Sequence, residues 1–205
     1  MIYDYLIKKY KKGEPFFLSE LPCNSKSYLK LEMKRLVDKG LVSRYLRGVY
    51  YLPYKTILGT DGKVLIEDYI RKKYLYNDSK ITGFYSGLRL ANKYGFTTQN
   101  SAVYEFYTNN ITTKQRALTI DKRKVVMYKP YVEITKDNIN ELEFLELMRI
   151  VYKYAEVRDK EIKIELSKYI KIKNIDFNKV KKYISYYPNI VYKNLYKSGI
   201  IYEME

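Results

Sequence analysis

The 205-residue chain contains no histidine, no tryptophan and a single cysteine, Cys23. Without histidine, neither a Ser-His-Asp nor a Cys-His nucleophile can be assembled, and an ordinary His/Cys zinc site is excluded on the same ground. One cysteine cannot close a disulfide within the chain. Long hydrophobic runs are also missing. Even Val37–Leu46 and Ile150–Val157 are broken by charge, far short of the ~20 apolar residues that span a membrane. The start, Met1-Ile-Tyr-Asp-Tyr-Leu-Ile-Lys-Lys-Tyr, has no apolar signal core and no small-residue cleavage site, so a soluble, cytoplasmic protein is expected. The chemistry left to an enzyme is narrow: carboxylates with a hard metal, or Lys and Tyr as acid and base. The expectation is a protein with no catalysis and no cofactor.

What the chain does have is positive charge, 39 Lys+Arg against 23 Asp+Glu, a net of +16. Its 46% apolar content suffices for a packed core in one large domain or two small ones. Tyrosine is over-represented, 26 residues against 7 Phe. Tyr, Lys, Ile and Asn share A/T-rich codons, so genome composition accounts for the excess without an aromatic binding surface. The charge is uneven: residues 1–57 carry 12 basic and 5 acidic side chains, and the rest carry 27 and 18. The first quarter is therefore about twice as dense in positive charge as the remainder.

Within that quarter the hydrophobic period changes twice. Tyr3, Leu6, Ile7 and Tyr10 recur at helical spacing, and Gly13-Glu14-Pro15 stops the helix. Residues 16–22 leave room for one short helix. Asn24 or Ser25 then caps a third helix, with Leu29, Met33, Leu36 and Val37 as its buried stripe and Gly40 at its end. Leu41–Leu46 and Val49–Leu52 read as two strands joined at Arg47-Gly48, where glycine can take positive φ. Helix, short helix, capped basic helix and hairpin, in that order, are the layout of a winged helix-turn-helix.

Residues 58–205 read as a separate mixed α/β domain, giving an α/β (α+β) protein overall. Helices are expected over Val64–Tyr76 and Thr82–Tyr94, strands over 102–107, 117–120 and 125–128, and a mostly helical tail from about Asn138 with breaks near Arg158, Asn174 and Pro188. Two short motifs are unspecific. Glu161-Ile162-Lys163 has the Glu-x-Lys spacing of metal-dependent nucleases but lies in an expected surface helix. Gly83-Phe84-Tyr85-Ser86-Gly87 fits neither phosphate-binding glycine loop, and a helix entry packed on a strand accounts for it equally well.

Any basic surface attracts DNA by counterion release, whereas sequence is read by donors on a helix that reaches base edges in the major groove. With its apolar stripe turned inward, the third helix offers Lys26, Ser27 and Lys30 for base edges, and Ser25 and Lys34 for phosphate. Arg44 and Arg47 flank the hairpin tip, where a wing reaches a backbone or a minor groove.

The string from Leu36 to Tyr50, Leu-Val-Asp-Lys-Gly-Leu-Val-Ser-Arg-Tyr-Leu-Arg-Gly-Val-Tyr, resembles the recognition-helix end and wing of the AbiEi-type antitoxins of type IV toxin–antitoxin (abortive infection) systems. The likeness continues through Ile57-Leu58-Gly59, the helix around Ile66–Lys73, Ile81–Leu88, Tyr94–Gln99, Val103–Asn109 and Lys114–Leu118, covering roughly residues 1–130. The resemblance implies an N-terminal winged helix that binds inverted repeats in the promoter of its own operon and represses it. It implies a C-terminal domain that counters a nucleotidyltransferase-like toxin without a stable complex, and a monomer or weak dimer paired on the double-stranded DNA. At motif positions it carries over Thr82, Ser86, Thr97, Thr98, Gln99, Lys114 and Arg116 as an antitoxin surface, although helix caps and turn-makers explain the same polar residues. The chain departs from the pattern by being Lys-rich where relatives favour Arg, which puts point charges in place of bidentate forks. Two other readings fit the residues: a stand-alone transcriptional regulator whose C-terminal domain binds a ligand or protein, and an RNA-binding or nucleic-acid-processing protein.

Overall fold

A computed structural model describes residues 2–23, 25–77 and 80–204. Asn24, one of the two expected helix caps, lies outside the described residues. The chain divides into two compact units, one up to Lys73 and one from Tyr74 onward, so the division falls 16 residues beyond the expected 57/58 boundary. The reason lies in residues 66–73, which are held by the N-terminal elements. Tyr69 packs its ring on Phe17 and Tyr45, and Lys72 Nζ sits 3.2 Å from the Glu14 carboxylate and over the Tyr10 ring.

The first unit opens with α1 (Ile2–Lys9), which buries Leu6 and is followed by the buried Tyr10. Ile7, expected on the same stripe, is half exposed, so the apolar face of this helix is narrower than its sequence suggests. Where a short helix was expected, Phe16–Phe17 forms β1 and only Leu18–Glu20 makes a 3₁₀ turn. Phe16 is wholly buried and stacks between Tyr10 and Tyr50, and this contact with a distant strand overrides the local preference. Helix α2 (Lys26–Asp38) turns Leu29, Met33 and Leu36 into the core, worth roughly 1.5–3 kcal/mol each. It closes as the glycine predicts: Gly40 takes φ +69° and Leu41 N–H returns to the Leu36 carbonyl at 3.0 Å. Strands β2 (Ser43–Leu46) and β3 (Val49–Tyr51) pair antiparallel through Leu46↔Val49, with Gly48 at φ +76° in the connecting turn. β1 adds to the other side of β3, giving the order β1-β3-β2. After β3 come α3 (Ile66–Ile70) and one π-helical turn, Arg71–Leu75, shorter than the helix expected over Val64–Tyr76.

In the second unit, β4 (Tyr76–Asn77) pairs with β5 (Lys80–Ile81). The helix expected over Thr82–Tyr94 is in fact a strand and then a helix: β6 (Gly83–Tyr85) and α4 (Gly87–Lys93). Gly83 decides it, because a β-carbon there would collide with the Tyr107 carbonyl oxygen of the neighbouring strand. Strands β7 (Val103–Thr108), β8 (Gln115–Ile120) and β9 (Arg123–Tyr128) complete a sheet of order β6-β7-β9-β8, in which only β7 and β9 run parallel. Helix α5 (Ile139–Tyr154) is the centre of the unit: every residue from Glu141 to Met148 is buried, as befits a helix covered on all sides. Around it lie α6 (Asp159–Lys173), α7 (Phe177–Tyr183) and α8 (Ile190–Ser198). The three expected breaks are present, with Asn174 ending α6 in the left-handed region at φ +48°. No helix among the described residues is long and apolar enough to cross a membrane.

Candidate nucleic-acid interface

Helix α2 is positioned by its ends. Ser25 Oγ accepts a hydrogen bond from Tyr28 N–H at 3.3 Å, capping the first turn. That bond leaves the hydroxyl free to donate, and no acceptor is bonded to it among the described residues, so Ser25 can cap the helix and donate to a further acceptor at once. Lys26, Ser27, Lys30 and Lys34 are all exposed, and none has a hydrogen bond or ion pair among the described residues. Four free polar side chains on one exposed helix are available to a ligand at no cost in broken contacts.

The same face holds two residues that the charge pattern passed over. Tyr28 is 52% exposed and Leu31 49% exposed, and Leu31 lies between Ser27 and Lys34 at i+4 and i−3. Helical spacing marks them: neither falls on the Leu29/Met33/Leu36 stripe. An aliphatic group on an exposed polar helix face could meet the methyl of a thymine, and a tyrosyl hydroxyl could meet a phosphate or a base edge.

The two hairpin arginines differ. Arg47 stands in the turn before Gly48, exposed and without a partner among the described residues. Arg44 is further down β2, opposite Tyr50, and its Nε donates to the Leu46 carbonyl at 3.4 Å. Arg47 is therefore the free cation of the tip, while Arg44 is folded back on its own strand. Comparison of the chain with protein-family models and with characterised proteins returns no match.

In the second unit the polar positions form no common surface. Thr82 donates to the Tyr74 carbonyl at 3.0 Å, and Ser86, buried at the head of α4, donates to the Glu146 carboxylate. Thr97, Thr98 and Gln99 do come together, around one carboxylate: the Thr97 hydroxyl (2.7 Å), Thr98 N–H (2.9 Å) and Gln99 Nε2 (2.7 Å) all donate to Glu156. These donors hold the Glu156 carboxyl down at about 2, the Thr97 hydroxyl contributing most. Lys114 and Arg116, by contrast, stand exposed on and beside the edge strand β8.

Charge inside α5 is what the sequence concealed. Glu141, Glu143 and Glu146, which as carboxylates belong in solvent, are all buried. Glu143 accepts from the Tyr94 and Tyr169 hydroxyls at 3.0 and 3.1 Å and lies 3.3 Å from Lys93 Nζ. Burial, with the adjacent Glu143 charge, pushes Tyr94 up to about 12 and Tyr169 further still. Asp176 N–H donates to Glu141 at 3.2 Å. These contacts tie α5 to the elements around it. No group of three His, Cys, Asp or Glu among the described residues could hold a metal. Glu161 of the Glu-x-Lys segment is spent on capping α6, accepting from Arg158 N–H at 3.0 Å and from its guanidinium.

Proposed function

We propose that the protein is a winged helix-turn-helix DNA-binding repressor of its own promoter, with no catalysis of its own, acting in the cytoplasm as the antitoxin of a type IV system. The observation that carries the DNA-binding part is the outward face of α2: Lys26, Ser27, Lys30 and Lys34, all unpaired among the described residues, with the free Arg47 at the tip of the following hairpin. α2 serves as the major-groove reader and Arg47-Gly48 as the wing tip. The antitoxin part rests on the ordered resemblance over roughly residues 1–130. Of its motif positions in the second unit, Lys114 and Arg116 are the ones with side chains free in solvent.

A second reading, a regulator whose C-terminal unit takes a ligand or protein, is favoured by one feature. Lys181, Ile184, Tyr192, Ile201 and Met204 line an open, mostly apolar groove of about 340 Å³.

The experiment is a gel-shift on the DNA upstream of its own gene, titrated with salt and with competitor duplex, since phosphate attraction alone is unspecific. A discrete complex that survives competitor near physiological salt supports the repressor, and rescue from a co-expressed adjacent nucleotidyltransferase supports the antitoxin. Equal loss on all DNA as salt rises reduces the argument to basicity and favours the second reading.

A further inference from the structure

From Phe177 to Tyr202 the chain carries five lysines, six tyrosines and no acidic side chain, whereas Asp and Glu make up 23 of its 205 residues. The nearest carboxylates in sequence are Asp176, which caps α7 by accepting from Asn178 N–H at 2.9 Å, and the exposed Glu203. A/T-rich codons account for the number of tyrosines and lysines, but not for where the fold puts them. Helix α8 buries Val191, Asn194, Leu195 and Ser198, which turns Tyr192 and Tyr196 outward one helical turn apart, with Lys193 beside them. The two rings are 38% and 61% exposed.

These groups flank the groove already described. Tyr192 shares its lining with Lys181 of α7 and with Ile201 and Met204 at the C-terminal 3₁₀ turn (Ile200–Glu203). Its volume, about 340 Å³, is that of a small-ligand site. The hydroxyls of Tyr192 and Tyr196 and the ammonium groups of Lys181 and Lys193 have no hydrogen bond or ion pair among the described residues. Lys197 is different: it is held over the Tyr152 ring and lies 3.6 Å from Asp159. One face of the second unit therefore combines an apolar groove, two outward aromatic rings and two unpaired cations.

The charge calls for a polyanion, and the rings decide which kind. A duplex keeps its bases stacked inside and presents phosphate, which lysines alone would meet. Exposed rings beside an apolar groove gain contact only from bases that are unpaired. We propose that this face binds single-stranded RNA: one base enters the groove against Tyr192, its neighbour stacks on Tyr196, and Lys181 and Lys193 meet the adjoining phosphates. The free tyrosyl hydroxyls reach the ribose 2′-OH, the group by which a protein tells RNA from DNA. Stacking accepts any base, so recognition at this face is tolerant of sequence.

The proposal does not rest on α2 reading DNA. It is tested on the full chain by fluorescence anisotropy of a labelled single-stranded RNA of about 12 nucleotides, with excess unlabelled duplex DNA present to occupy the N-terminal unit. The wild type is expected to bind the RNA under these conditions, and more tightly than single-stranded DNA of the same sequence. Tyr192→Ala with Tyr196→Ala should weaken RNA binding at least about tenfold, with circular dichroism and duplex binding unchanged. Tyr192→Phe with Tyr196→Phe keeps the rings and should retain most of the affinity while losing the preference for RNA over DNA. Lys30→Ala with Lys34→Ala on α2 should leave RNA binding as it is, so failure of the DNA reading and failure of this one are told apart. RNA that duplex displaces as readily as single strands do, an alanine pair that binds as the wild type does, or a loss on duplex equal to the loss on RNA would each overturn the proposal.

Discussion

Glu146 and Arg149, one helical turn apart on α5, are joined at two points: Arg149 Nε to Oε2 and Nη2 to Oε1, both at 2.7 Å. The carboxylate is wholly buried and the guanidinium side chain is 30% exposed. Ser86, at the head of α4, supplies a third bond to the same carboxylate. Removing one partner of a buried pair strands the other's charge, at about 3–5 kcal/mol where both are fully buried. Arg149 retains solvent contact, so Arg149→Met is expected to cost less, about 2–3 kcal/mol, in urea unfolding. Arg149→Met combined with Glu146→Leu should recover part of that loss, since no charge is then left unpaired. Equal stability of the single variant and wild type would show that the pair contributes nothing.

How much of this was legible in the sequence depends on which contacts decide each element. α2 was readable from end to end because its signals are local: Ser25 as cap, Leu29, Met33 and Leu36 as stripe, Gly40 as stop. The hairpin was readable for the same reason, through Arg47-Gly48. β1 and β6 were not. Phe16-Phe17 and Gly83-Phe84-Tyr85 become strands by pairing with β3 and β7, more than 20 residues away, and a local window holds no trace of either partner. The three glutamates of α5 carry charge that normally stays in solvent, and their burial rests on partners from elsewhere: Tyr94, Tyr169 and Lys93 at Glu143, Arg149 and Ser86 at Glu146, and the Asp176 N–H at Glu141. On the candidate site the cations were legible, because exposure and charge go together. The internal use of Thr97, Thr98 and Gln99 was not, because Glu156 is 57 residues beyond Gln99.

That cluster sets an acid-side prediction. Glu156 has a folded-state value of about 2 against an ordinary 4.5, so it binds a proton less readily folded than unfolded. Its stabilising contribution is complete above about pH 4.5 and disappears as the pH falls toward 2. Glu156→Gln should therefore melt below the wild type at neutral pH, with the gap narrowing below pH 4.5 and closing near pH 2. Melting curves of both proteins across that range check it, and a gap independent of pH would assign the cluster to packing instead of charge.

For the candidate interface, each unpaired lysine that meets a phosphate releases about one counterion on binding. Lys30→Ala with Lys34→Ala should weaken duplex binding and reduce the slope of log affinity against log salt by up to about two. Arg47→Ala should weaken binding and leave the melting temperature near wild type, because Arg47 has no partner among the described residues. Unchanged slope and affinity for the lysine pair would remove α2 as the reader. A large drop in melting temperature for Arg47→Ala would assign it to structure.

Ser25 serves two roles that substitution can separate. As the α2 cap, its oxygen accepts from Tyr28 N–H, and losing such a cap costs about 1 kcal/mol. As a phosphate contact it must donate, or at least not repel. Ser25→Asp keeps an acceptor at the cap and adds negative charge at a helix N-terminus, which favours the folded state. Its melting temperature should equal or exceed the wild type's, yet its affinity for duplex DNA should fall, because the carboxylate meets the phosphate with like charge. Ser25→Ala should behave in reverse, losing stability while keeping most of the affinity. If Ser25→Asp binds DNA as tightly as wild type, the N-terminus of α2 does not approach the backbone, and the reading face must be shifted toward Leu31 and Lys34.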